Sequence, residues 1–237
     1  MNDEKYWAVI PAAGVGRRMR SDIPKQYLEL CGQAVLLHSL QRLASCPGIS
    51  GVFLGVSAGD PYWKEIWYDI SDKASWLKSV CDGGEERADT VSRILDDMAG
   101  TAHHNDWVLV HDAVRPCITH SDIQLLMKQA SLQDGGLLGR PISDTVKLTD
   151  SNARVKKTIP RDDLWGAQTP QMFRYGQLRQ ALRDAKSKAV AITDEASAME
   201  FSGFQPLMVK GRSDNIKITL PGDLELADMF LNNQELT

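Results

Sequence analysis

A chain of 237 residues, 43% of them hydrophobic, has the size and apolar content of one α/β domain, with or without a large insertion. Its net charge of −4 argues against a nucleic-acid surface, since such domains are usually strongly basic. No apolar run approaches the roughly 20 residues a membrane helix needs, and four scattered cysteines without a C-x-x-C pair suit a reducing cytosol better than disulfides or zinc.

The acidic start MNDEKYW leads straight into a strand and does not read as a secretory leader. Ala8, Val9 and Ile10 form that buried strand, which breaks at Pro11 into a small-residue loop. Gln33 to Ser45 predicts a helix with Leu36, Leu40 and Leu43 on one face, stopped by Pro47-Gly48. Gly51–Ser57 reads as a strand, Pro61–Ile70 as a helix packing Trp63, Ile66, Trp67 and Ile70 inward, and Leu77–Cys81 as a third strand. A helix over Glu86–Met98 and a strand over Trp107–His111 follow, with His103-His104 in a polar turn between them. Ser121 and Gln124 have capping-box spacing, opening a helix with Ile123, Leu126, Met127 and Ala130 inward. Gly136–Ile142 is the next strand.

The pattern changes between Ser143 and Pro160, where apolar and polar residues alternate around Asp150-Ser151-Asn152. That is a β-hairpin leaving the main body; two strands alone are marginal in water, so a symmetric partner subunit is expected to support it. A helix at Tyr175–Lys186, strands at Leu207–Lys210 and Asn215–Thr219, and a last helix with Pro221 as its first residue complete the chain. Strands alternating with amphipathic helices predict a mostly parallel sheet with helices on both faces, and ligands beyond the carboxyl ends of its strands.

The chemistry-bearing strings follow those strand ends. After the first strand, Gly14 and Gly16 precede Arg17, Arg18 and Arg20, with Lys25 behind Pro24. A glycine loop lets backbone N–H groups approach phosphate oxygens, and arginines beyond it can fork onto them. The loop lacks the G-K-S/T of a P-loop and the third glycine of a dinucleotide fingerprint. It points to a nucleotide polyphosphate site; a tight turn carrying solvated arginines is the competing reading. DGGEERADTV (Asp82–Val91) follows the third strand, where paired glycines admit a base edge and Thr90 offers a hydroxyl; a capped helix start fits the same string. HDAVRP (His111–Pro116) follows the fourth, with either a plain Asp112–Arg115 salt bridge or a ligand role. No nucleophile elbow, Cys/His pair or H-E-x-x-H cluster is present.

Pro11-Ala12-Ala13-Gly14-Val15-Gly16-Arg17-Arg18-Met19, followed by Pro24-Lys25-Gln26-Tyr27-Leu28, resembles the signature loop of the nucleotidyltransferases that convert 2-C-methyl-D-erythritol 4-phosphate into its CDP derivative. Strings in matching order run from Ala8 to about Ala227. The resemblance implies a Rossmann-like α/β nucleotidyltransferase domain spanning residues 1–237, with a β-arm dimerisation insertion at about 143–160. It implies CMP transfer from CTP to methylerythritol phosphate, with release of pyrophosphate, in non-mevalonate isoprenoid precursor synthesis. The protein is then expected to be a cytoplasmic homodimer using Mg²⁺ or another divalent cation, with no nucleic-acid or membrane partner.

Residue by residue, the resemblance assigns catalysis to Arg18, Lys25, Arg161 and Lys217. CTP would be lined by Pro11, Ala12, Ala13, Gly14, Gly16, Gly84, Glu85, Thr90, Asp112 and Ala113. Arg115, Thr145, Arg161, Thr169, Thr193 and Lys217 would hold the acceptor, Thr145 and Arg161 from the neighbouring subunit. Asp112 is the candidate metal contact, the cation being held mainly by CTP phosphates. Glu85 and Thr90 depart conservatively from the family's usual Asp and Ser, and Val114 departs from its Ala by added bulk, with a local packing change expected. A ribitol-5-phosphate cytidylyltransferase shares the P-K-Q segment but opens differently from Pro11-Ala12-Ala13 and diverges at Thr193–Ser197. A non-catalytic CTP-binding module is the alternative outside enzymes, and it has no use for four converging cations.

Overall fold

The computed structural model describes residues 4–14 and 23–235. β1 (Tyr6–Pro11) is followed by a short 3-10 turn at Lys25–Tyr27, the two-residue strands β2 (Glu29–Leu30) and β3 (Gln33–Ala34), and α1 (Val35–Ala44). Then come β4 (Ile49–Val56), α2 (Pro61–Ile70), β5 (Leu77–Asp82), α3 (Arg87–Asp97), β6 (Trp107–Val110), α4 (His120–Ala130) and β7 (Gly136–Pro141). The hairpin β8 (Val146–Thr149) and β9 (Val155–Ile159) precedes β10 (Trp165–Arg174), α5 (Tyr175–Ser187), α6 (Glu195–Phe201), β11 (Leu207–Lys210) and α7 (Gly222–Glu235).

Seven strands form one sheet in the order β11-β7-β10-β6-β1-β4-β5. Its pairs are parallel except for β10, which runs antiparallel to both β6 and β7. The pleat sorts β1 by alternation: Ala8 and Ile10 face a core shared with α1, α2 and α4, while Trp7 and Val9 face one shared with α3, α5 and α6. Helices therefore cover both faces, as the sequence pattern predicts. The connections after β1 lead out to β4 and β5, then the chain returns across β1 to β6. The β1/β6 boundary is thus the switch point where a crevice opens at the carboxyl ends.

Several local expectations are corrected. β10 has no alternating sequence signature; its ladder to β7 shifts register between Ala167 and Gln171, around Pro170, which has no N–H to donate. The segment 215–219 is not a strand. It is tied by Asn215 Nδ2 to the Thr169 carbonyl (2.9 Å) and by Ile218 N–H to the Val114 carbonyl (2.9 Å), which leaves no ladder. α4 begins earlier than the Ser121 box implied, because Thr119 accepts from Asp122 N–H (3.2 Å) and caps the helix. α7 begins at Gly222, after Pro221, with Asp223 accepting from the N–H groups of Thr219 and Leu220 at 2.8 Å each. The hairpin turns where expected, with Asp150 Oδ1 accepting from Asn152 and Arg154 N–H at 2.9 Å. Its two strands form their own sheet, with Leu148 and Val155 exposed.

Candidate active site

The switch point brings three loops together. After β1, Ala12 N–H donates to the Gly55 carbonyl at 2.7 Å, fixing the loop against β4. Gln26, only 3% exposed, donates from Nε2 to the carbonyls of Ala12 (2.8 Å) and Gly14 (3.0 Å). The P-K-Q turn thus folds back and braces the small-residue loop. Lys25 Nζ reaches the Ile218 carbonyl at 3.0 Å. Gly16, Arg17, Arg18 and Arg20 lie outside the described residues.

The loop after β5 approaches so closely that a Cβ on Gly83 would sit 2.3 Å from the Ala13 Cβ. A Cβ on Gly84 would meet the Asp89 Cβ at 2.3 Å, so both glycines are required by space. Thr90 is buried; its hydroxyl accepts from Gly84 N–H (3.0 Å) and donates to the Glu86 carbonyl (3.2 Å). That hydroxyl shapes the loop, with one lone pair left for a ligand. Pro11, Ala12, Ala13, Gly14, Lys25, Gly84, Glu85, Thr90, Asp112, Ala113 and Lys217 line one cleft. All these were expected at the nucleotide except Lys25 and Lys217, which were expected at the reaction centre.

At the inner end of that cleft Asp112, 6% exposed, is gripped by three cations. Arg87 Nε donates to Oδ1 at 2.9 Å, Lys217 Nζ lies 2.9 Å from Oδ2, and Arg115 Nε lies 3.4 Å from Oδ2. Burial pushes the carboxyl up, but Arg87, Lys217 and Arg115 overcome this and hold it well below the usual carboxylate range. Arg87 also pairs end-on with Glu195, Nη1 to Oε1 at 2.6 Å and Nη2 to Oε2 at 3.1 Å. Three cations against two carboxylates leave a net +1, suited to a polyanion. The Asp112–Arg115 salt bridge is therefore present, as one contact in a larger cluster.

Arg87, Asp112 and Lys217 also line a second, adjoining cleft with Arg115, Thr169, Thr193 and Asp194. Thr169 Oγ1 accepts from Asp112 N–H at 3.0 Å and contacts His111 Nδ1 at 3.0 Å, so it positions the Asp112 loop from below. Arg115 Nη1 donates to the Asn215 carbonyl at 2.7 Å, which ties the HDAVRP loop to the segment carrying Lys217. Thr193 is exposed at the rim, where Asp194 caps α6. Thr145 and Arg161 line neither cleft; both are exposed on the hairpin arm, and Arg161 Nη1 donates to the Ser143 carbonyl.

The donor set does not fit a resident metal. Among the described residues no three His, Cys, Asp or Glu side chains gather to hold one. Both oxygens of Asp112 already face protein cations. The sequence missed Arg87 and Gln26. The signal for Arg87 was a cation at the first position of a helix, where the peptide dipoles disfavour it unless a carboxylate is near.

A mostly parallel α/β sheet with a small-residue loop, a paired-glycine loop and a net positive carboxylate cluster converging at its switch point defines an α/β nucleotidyltransferase. Comparison with known proteins narrows this class. The family model for 2-C-methyl-D-erythritol 4-phosphate cytidylyltransferase matches residues 6–233. The chain belongs to that family. A protein of that name from Hahella chejuensis is 50% identical over 232 residues, covering 98% of this chain and 95% of its own. One from Vibrio vulnificus is 44% identical over 229 residues, covering 96% and 95%. A crystal structure of a 4-diphosphocytidyl-2C-methyl-D-erythritol synthase superposes with a TM-score of 0.83 at 34% identity, covering 98% of this chain and 100% of its own. The Francisella tularensis cytidylyltransferase gives 0.81 at 35% identity, covering 96% and 100%.

Proposed function

We propose that the protein transfers CMP from CTP to 2-C-methyl-D-erythritol 4-phosphate, giving 4-diphosphocytidyl-2-C-methyl-D-erythritol and pyrophosphate. The observation that carries the reading is the Asp112 cluster at the junction of two clefts, one walled by the glycine loops and the other by Thr169 and Thr193. A phosphate oxygen of the acceptor attacks the α-phosphorus of CTP. The new P–O bond forms as the bond to the bridging oxygen of the β-phosphate breaks, and its electron pair leaves with pyrophosphate. The attacking oxygen is already ionised near neutral pH, so no side-chain base is needed. What the protein supplies is orientation and positive charge at fixed positions.

Lys25, held at the cleft wall by the Ile218 carbonyl, faces the triphosphate, and Lys217 lies between the two reactants. Asp112 acts as the anchor that spaces Arg87, Arg115 and Lys217 without letting them collapse together. Arg18 completes the triphosphate contacts by its place in the signature loop. A divalent cation carried in on the CTP phosphates would add positive charge there beside Lys25 and Lys217. The exposed hairpin supports a homodimer in which Thr145 and Arg161 reach the partner's acceptor cleft. That no described helix is long and apolar enough to cross a membrane is compatible with a cytoplasmic enzyme.

The test is pyrophosphate release from CTP and Mg²⁺ with methylerythritol 4-phosphate and ribitol 5-phosphate as separate acceptors. Release with the first alone is expected. Release with the second overturns the acceptor assignment, and CTP binding without release to either returns the chain to a binding module.

A further inference from the structure

Arg87 borders both clefts and joins them through a buried carboxylate on each side. It opens α3, beside the paired-glycine loop. Its Nε holds Asp112 at 2.9 Å, and its two terminal nitrogens hold Glu195, which opens α6 behind Thr193 and Asp194. The two carboxylates depend on it unequally. Asp112 retains Lys217 and Arg115 if Arg87 is lost. Glu195 is 1% exposed, and among the described residues its carboxylate has no partner other than Arg87.

We propose that Arg87 is a positioning residue for the transfer, locking the start of α6, and with it the acceptor wall, onto the nucleotide-side Asp112. The inference rests on the reading that the second cleft takes the acceptor. α6 is a seven-residue helix, too short to hold its own start in place. Its first turn depends on the Asp194 capping box, on Gln171, which bonds Asp194 Oδ2 and Ala196 N–H at 2.8 Å each, and on the Arg87–Glu195 pair. Removing the guanidinium leaves a buried carboxylate unpaired, and the cheapest relief is for the α6 start to move outward toward water. Thr193 and Asp194 move with it. The nucleotide cleft, whose loops are braced by Gln26, Thr90 and the remaining cations, stays in place.

The experiment begins with wild-type acceptor-dependent pyrophosphate release. Silence there refutes the function and, with it, the acceptor-positioning role of Arg87. Given release, Arg87→Gln is expected to raise the acceptor KM by about 10–100-fold, the scale of a buried pair broken from one side and partly relaxed. The CTP KM is expected to change by less than about threefold. The double variant Arg87→Gln with Glu195→Gln leaves no unpaired buried charge and should recover most of the acceptor KM. A residue that only held the fold together would lower the melting temperature without splitting the two KM values. Equal rises in both KM values, or a double variant no better than Arg87→Gln, overturns the proposal. Should Arg87→Gln not fold, Arg87→Lys keeps the charge on a single nitrogen, which cannot hold Asp112 and Glu195 together. It should raise the acceptor KM alone, and an unchanged acceptor KM in that variant overturns the proposal equally.

Discussion

The chain of hydrogen bonds beneath Asp112 makes a specific prediction about acid. His111 is fully buried, with Nε2 3.1 Å from the Arg115 carbonyl oxygen, which can only accept. Nε2 therefore carries the proton, Nδ1 accepts from Thr169 Oγ1, and that oxygen accepts from Asp112 N–H. A second proton on the ring would make Thr169 accept from both sides and donate to neither. It would also place a charge where water cannot reach it. Burial lowers the His111 pKa from 6.5 to about 4. Between those values the unfolded chain binds a proton that the folded chain refuses. The contribution is thus fully present above pH 6.5 and is lost as the pH falls toward 4. For these two pKa values, about 2 kcal/mol of stability disappears between pH 7 and pH 5. That window lies above the main titration of ordinary carboxylates, so it isolates histidines. Urea unfolding of wild type and His111→Gln at pH 7, 6 and 5 measures it. The variant is less stable at pH 7, but its further loss on going to pH 5 should be smaller by about 2 kcal/mol. Equal losses in both proteins would show that His111 is not held neutral by this chain of contacts.

Three more outcomes follow from the site. Lys25→Ala should lower turnover by about 10²–10³ while CTP affinity barely moves, as expected for a contact made mainly in the transition state; parallel loss of both, seen by steady-state kinetics and calorimetry, argues for plain ground-state binding. Gly83→Ala puts a methyl 2.3 Å from the Ala13 Cβ, and neither atom can swing aside. It should cost about 1–3 kcal/mol in urea unfolding and weaken CTP binding, and a neutral substitution would contradict the close approach of the two loops. Mixed dimers of Lys25→Ala and Arg161→Ala subunits should regain activity at one of their two sites if the arm acts on its partner; verified heterodimers that stay silent rule out sharing across the dimer.

The fold was legible wherever the pattern was local. The apolar run of β1, the leucine stripe of α1 and the Asp150 turn each express a few neighbouring residues, and each appears in the structure. β10 was not legible because Gln168, Thr169 and Pro170 interrupt any period-two pattern, although the strand sits between β6 and β7 in the middle of the sheet. The segment 215–219 failed for the opposite reason. Its alternation looks like a strand, but the backbone it runs beside at Val114 and Arg115 is a loop that offers few ladder partners.

The site divides in the same way. The glycine strings carry their function in their own spacing, and the structure brings Gly14 and Gly84 to one cleft. Arg87 carries its role in partners 25 and 108 residues away, which no local string reveals. Thr169 was expected at the acceptor; it lines the second cleft, and its hydroxyl also supports Asp112 through a network that only the folded chain assembles.

The most direct test of the central claim uses methylerythritol 4-phosphate labelled with ¹⁸O in its phosphate, incubated with CTP and Mg²⁺, with both products read by mass spectrometry. Attack by that phosphate on the α-phosphorus predicts one pyrophosphate per CDP-methylerythritol, with every label in the nucleotide product and none in pyrophosphate. Label in the pyrophosphate, or pyrophosphate release without any labelled CDP product, would contradict the account.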